Sequence, residues 1–277
     1  MKKIFILALL LSMPTIHTLH SQHKIMSLNI RFDNPADGPD RWEERKEELC
    51  GMLLEHHPDF IGIQESMPGQ VAYIDQKLKD HSFIGFGRDG KGTESESVPL
   101  FYDRSKFRLL RSEVFWLSET PEKPSKGWDA ALNRVTTYGL FENLKSGDTL
   151  HVFNTHFDHR GEVARKESAK LLARRIKSLG LADKKIILMG DLNSLPDEEP
   201  VMTLKEMLTD SRESSGNPPE GPVGTFNAFD PGKEPQDRID YVFTLNARVL
   251  TYANLDEKRK NGRWISDHLP VMVELSE

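Results

Sequence analysis

The chain has 277 residues, of which 37% are hydrophobic, 37 are basic, 43 are acidic and one is cysteine. A net charge of −6 disfavours holding nucleic acid by broad electrostatic attraction, which needs many lysine and arginine contacts to phosphates. The lone Cys50 excludes an intrachain disulfide framework and any multi-cysteine zinc or iron–sulfur site.

At the amino terminus Lys2 and Lys3 precede an apolar run, Ile4 to Leu11, which ends at Ser12-Met13-Pro14. Charge, a short apolar run and then a breaker is the order of a secretory signal peptide, expected over residues 1–21. The run is too short to span a bilayer, which takes about 20 residues. Leu19 and His20 are not the small residues of a well-marked cleavage point, and a buried first strand is the competing reading. Cleavage would place the protein in a periplasm or outside the cell. It would remove two lysines and no acid, taking the charge from −6 to −8.

His23–Ile30 reads as the first strand. Asp40 can cap a helix running to about His57, with Trp42, Leu49, Met52 and Leu53 near helical spacing. Phe60–Ile63 is a short apolar strand, and further strands are expected at Val98–Tyr102, Phe107–Leu117, Val135–Glu142 and Leu150–Asn154. A helix over Glu162–Leu179 precedes a strand at Lys185–Met189, and strands at Arg238–Thr244, Ala247–Ala253 and Val271–Leu275 complete the chain. Many strands without regular strand–helix alternation favour packed sheets flanked by helices. Residues 22–277 are expected to form one domain. No later segment is apolar enough for stable membrane insertion, and nothing marks an obligate protein partner.

Polar residues recur where apolar strands end. Asn29 closes the first strand, and Glu65 follows Ile61-Gly62-Ile63-Gln64. A carboxylate there could hold a hard cation or simply be a solvated loop acid. Asn154-Thr155-His156-Phe157-Asp158-His159 and Gly190-Asp191-Leu192-Asn193-Ser194 also follow apolar strands. Asp240 lies inside a strand, where a buried carboxylate needs a partner, and Ser266-Asp267-His268-Leu269-Pro270 leads into the last one.

This ordered set, from Ser27-Leu28-Asn29 to Ser266-Asp267-His268-Leu269-Pro270, resembles the endonuclease/exonuclease/phosphatase superfamily. Around Asp191 the chain looks more like the branch that includes deadenylases and nocturnin than like inositol-phosphate phosphatases. The resemblance implies an α/β fold, a four-layer α/β/β/α sandwich of two mostly antiparallel sheets between helices, and metal-dependent cleavage of phosphate esters. It implies Glu65 as the principal metal carboxylate, with Asn29 nearby and Asp267 a further ligand. Asp191 and Asn193 correspond to the pair that orients the attacking water and the phosphate, and they could contact a second metal. Asp240 and His268 resemble a dyad in which the acid fixes the imidazole and favours its charged form. His156 would stabilise the phosphate or protonate the leaving oxygen, and Glu96 corresponds to an acid that orients it.

Such chemistry calls for Mg²⁺, with Mn²⁺ as an acceptable substitute, because a cation must offset charge on the phosphoryl oxygens. On this reading His268 takes the proton of the attacking water. Arg134 could reach a phosphate or form a structural salt bridge. Trp128 could stack on a ring or pack. Lys258, Arg259, Lys260 and Arg263 could steer an anionic substrate or form a solvated hairpin tip. The expected substrate is a nucleic-acid fragment, a nucleotide or another phosphodiester. Alternatives are a sphingomyelinase-like lipid phosphodiesterase, a phosphomonoesterase, or a non-catalytic binding protein on the same fold.

Overall fold

The computed structural model describes residues 22–276, so the signal-peptide segment lies outside the described residues. In chain order the elements are β1 (Gln22–Asn29), α1 (Trp42–His56), β2 (Phe60–Gln64), α2 (Pro68–Lys77), β3 (His81–Ile84), β4 (Leu100–Asp103) and β5 (Phe107–Trp116). Then follow β6 (Val135–Asn143), β7 (Thr149–His156), α3 (Glu162–Ser178), β8 (Lys185–Asp191), α4 (Glu199–Lys205) and β9 (Thr209–Asp210). The last are β10 (Asp240–Leu245), β11 (Val249–Asn254) and β12 (Val271–Ser276). One sheet has the order β11-β12-β1-β2-β4-β3 and the other β5-β6-β7-β8-β10-β9.

Two pairs break the antiparallel rule. β1 runs parallel to β2, and β7 runs parallel to β8. A parallel pair needs a crossover, usually a helix. The crossovers here are α1 and α3. The strands read as continuous apolar runs because both sheet faces are covered. Ile25, Phe60, Ile187 and Met189 pack between the sheets, while their neighbours Met26 and Ile61 face α1 and α2, and Ile186 and Leu188 face α3. Strict alternation thus splits β1, β2 and β8 between an inter-sheet core and a helix-facing core. The result is the expected four-layer sandwich.

Gly62 lets the sheets approach, since a Cβ there would lie 2.6 Å from Met189 Sδ. Buried Gln64 donates to Asn154 Oδ1 at 2.7 Å, joining the sheets beside the site.

Two expectations about the first helix and the basic loop are corrected. α1 starts after Arg41, and Asp40 does not cap it. The Asp40 carboxylate instead pairs with Arg259 and Arg263. Arg259 is buried and also donates to the carbonyls of Pro39, Glu44 and Trp264. Two of the four charges read as a steering patch or a solvated hairpin tip are therefore tied to Asp40, Arg259 in the interior and the partly exposed Arg263 at its edge. Burying a guanidinium requires such a full set of acceptors.

Candidate active site

The site lies where both parallel pairs end. In register, His156 of β7 stands opposite Asp191 of β8, which stands opposite Asp240 of β10. Residues sharing a row across a sheet share a face. Three ionisable side chains are thereby brought together by backbone pairing alone.

Gly190 makes this row possible. Its φ is +148°, and a Cβ would lie 2.0 Å from the Thr155 carbonyl oxygen, so a side chain cannot be accommodated between the strands. From the other sheet, Asn29 Nδ2 donates to Asp191 Oδ2 at 3.0 Å and to Glu65 Oε1 at 3.1 Å. Its Oδ1 accepts the Arg31 backbone N–H, so this amide ties the two carboxylates together. Glu65 and Asn193 have φ of 62° and 46°, left-handed conformations that turn their side chains at strand ends and store local strain.

Asn193 Nδ2 lies 3.2 Å from His156 Nε2, and His156 Nε2 is 3.5 Å from Asp191 Oδ2. His268 Nδ1 meets Asp240 Oδ2 at 2.8 Å, with its Nε2 3.9 Å from Asp191. The second Asp240 oxygen is buried without a partner among the described residues. Asp267 reaches the same cleft, and the preceding Ser266 donates its hydroxyl to the Asn29 carbonyl at 2.6 Å. The cleft has a volume of about 330 Å³ and is lined by Glu65, Arg134, Asp191, Asn193, Asp267 and His268 among others.

Burial and the Asp240 charge push the Asp191 carboxyl up to about 7. Burial opposes a charge on His268, yet Asp240 and then Asp191 outweigh it and hold the imidazole well above its ordinary range. His156 goes the other way, driven well below by burial and by Arg134. At neutral pH His268 is therefore a cation and His156 is neutral.

Glu65, His156 and Asp191 offer ligand atoms within 4.8 Å of one another. Two carboxylates there, with Asp267 on the same cleft, form an oxygen-rich donor set that suits a small hard cation. The residues present fit the implied metal.

One expected placement changes. Glu96 lines the cleft, but its carboxylate pairs with Arg88 at 2.7 Å, and among the described residues no hydrogen bond joins it to His156. Burial pushes that carboxyl up despite Arg88. Arg134 is buried, with Nε 3.3 Å from Asp158 and Nη1 3.1 Å from His156 Nδ1. The salt bridge and the place beside the reacting centre are the same residue's two ends.

Arg45 and Asp158 were missed from sequence. Arg45 is fully buried and donates to the carbonyls of Ile30, Arg31, Asp40 and Ile265, joining the loop after β1 to the segment that carries Asp267. A charge on an otherwise amphipathic helix gives no sequence signal for that. Asp158 could have been found, because it lies two residues beyond His156.

Residues 26–268 match the model of the endonuclease/exonuclease/phosphatase family. A solved endonuclease/exonuclease/phosphatase family protein from Bacteroides thetaiotaomicron is 35% identical, with a TM-score of 0.86 over 92% of this chain and 98% of that one. A mannosyl-6-phosphatase from Bacteroides thetaiotaomicron has the same identity and TM-score over 92% of this chain and 100% of its own. An uncharacterised protein of Acanthamoeba polyphaga mimivirus is 29% identical over 270 residues, 90% of this chain and 98% of the viral one.

Proposed function

Because the chain belongs to the endonuclease/exonuclease/phosphatase family, whose members hydrolyse phosphate esters, we propose that it is an exported, Mg²⁺-dependent phosphoesterase that cleaves a P–O bond by in-line attack of water. The observation that supports this reading is the convergence of Glu65, Asp191, Asn193, Asp267 and His268 on one cleft of about 330 Å³. That size suits a small molecule or a short fragment.

A bound divalent cation would be held by Glu65 and Asp191, with Asp267 beside them, and would offset charge on the phosphoryl oxygens and activate water. The chain's own groups divide the remaining work. Asp191, fixed by Asn29 and by the Asn193 backbone N–H, orients the attacking water. His268, expected to take the water's proton, already carries one at neutral pH. A strongly basic imidazolium paired with Asp240 is already protonated and serves to neutralise developing charge on the phosphoryl oxygens. The Asn193 amide and neutral His156, 3.2 Å apart, orient the phosphoryl group.

A phosphodiester or nucleotide is the first substrate reading. A sugar phosphomonoester is favoured by one specific observation, the full-length likeness at 35% identity to a mannosyl-6-phosphatase. The test is hydrolysis by residues 22–277 of an aryl phosphodiester, an aryl monoester, mannose 6-phosphate, single-stranded DNA and RNA, and sphingomyelin, each with Mg²⁺ or chelator. Turnover of at least one ester with Mg²⁺, abolished by chelator and reduced about 10²-fold or more by His268→Ala, is expected. Turnover that survives both chelator and the substitution overturns the mechanism.

A further inference from the structure

His159 lies at the cleft beside Asp191 and Asn193, and its role follows from the residue that holds it. Arg134 spreads its guanidinium over three partners: Nε on Asp158 at 3.3 Å, Nη1 on the His156 ring at 3.1 Å, and Nη2 on His159 Nδ1 at 2.9 Å. A guanidinium can only donate, so His159 Nδ1 must accept, and the proton of the neutral ring is fixed on Nε2. Burial and the Arg134 charge keep this imidazole below its ordinary pKa, so it is neutral at pH 7. Among the described residues Nε2 has no hydrogen-bond partner. An oriented, uncharged N–H donor is thus left open at the cleft, one guanidinium away from His156.

We propose that His159, oriented by Arg134, binds substrate by donating its Nε2–H to a third non-bridging oxygen of the phosphoryl group, and so makes the site select phosphate monoesters over diesters. A diester has two non-bridging oxygens and a monoester three. The centre already supplies partners for two, the carboxylate corner with the cation it would hold and the Asn193 and His268 side chains. His159 serves the oxygen that only a monoester has. In a diester that position is an ester oxygen, a poor acceptor carrying bulk. The proposal rests on the phosphoesterase reading of the cleft and names the substrate class within it.

Binding of two probes tests it without hydrolysis. Inorganic phosphate represents the monoester end and dimethyl phosphate the diester, each titrated calorimetrically into the Mg²⁺-loaded protein. His159→Ala should weaken phosphate about tenfold and dimethyl phosphate less than twofold, and His159→Gln, which restores a side-chain N–H, should recover part of the loss. Long-range ¹H–¹⁵N spectra of the wild type should place the His159 proton on Nε2. Equal losses for both probes, unchanged phosphate affinity, no phosphate binding by the wild type, or a proton on Nδ1 would each overturn it. Should His159→Ala fail to fold, the glutamine variant and the wild-type spectrum decide. An enzyme inactive on every ester but showing the expected binding would fail the catalytic reading alone, whereas an active enzyme with unchanged phosphate affinity would fail only the role of His159.

Discussion

Asp240 has one carboxylate oxygen on His268 Nδ1 at 2.8 Å and the other buried without a partner among the described residues. An ionised carboxylate in that position is stabilised chiefly by the imidazolium it faces, so each charge sustains the other. Asp240→Asn keeps the shape and removes the charge. His268 would then be left with burial, which lowers its proton affinity, opposed mainly by Asp191 and Asp267. The raised affinity of wild-type His268 keeps it cationic below its folded pKa, and activity that needs the cation is lost as pH rises through that value. In Asp240→Asn this alkaline limb should move to lower pH, with kcat down by about 10²-fold at neutrality. A kcat/KM–pH profile measures both. A limb that stays in place would show that the dyad does not set the working protonation state.

The strand row that carries His156, Asp191 and Asp240 depends on one backbone position. Gly190→Ala would drive a methyl into the Thr155 carbonyl at 2.0 Å, at a φ that L-residues rarely adopt. The expected cost is about 3 kcal/mol or more of stability, together with loss of activity as β7 and β8 part. Gly51 is the contrast, exposed in α1 with nothing within 4 Å of a built Cβ. Gly51→Ala should stabilise by about 0.5–1 kcal/mol and leave kcat alone. Thermal melts of the two variants distinguish a site-building glycine from an incidental one.

The same elements show what could be read from residues. Strands from β1 to β12 were legible wherever apolar runs ended in polar motifs, because burial on both faces leaves continuous runs. The helices α2 and α4 and the short strands β3 and β9 were not foreseen. α2 buries only Gln70, Val71 and Ile74, too few apolar positions for a periodic signal. Asn29, Glu65, Asp191, Asp240 and His268 were legible because each motif kept its place in an ordered set. Two pairings were legible, Asp240 with His268 and Asn29 beside Glu65, while the bond from Asn29 to Asp191 was not. The Arg88 salt bridge that occupies Glu96, and the burial of Arg259 against Asp40, depend on loops whose course no spacing encodes.

At the scale of the whole molecule, the two ends of the sandwich treat buried carboxylates in opposite ways. At the end remote from the site, burial works against Asp59, but His23, Lys106 and the Lys24 backbone N–H outweigh it and hold its carboxyl below the usual range. That end gains stability above the unfolded Asp pKa and loses it as pH falls through the lower folded value. At the site end, burial pushes Asp191 up to about 7 and raises Asp267 as well. An acid whose folded pKa is raised destabilises the fold as pH climbs from the unfolded value, about 3.9, through the folded one. A cation between Glu65 and Asp191 reverses that penalty, but it must first displace the Asp191 proton. Mg²⁺ should therefore raise Tm more at pH 7.5 than at pH 5.5, by up to about tenfold in apparent affinity per pH unit below 7 and little beyond it. Asp191→Asn should raise the metal-free Tm at pH 7.5 and abolish the pH-dependent part of the Mg²⁺ effect. Melts at both pH values with and without Mg²⁺ decide the matter, and an equal shift at the two pH values would remove Asp191 from the metal's coordination.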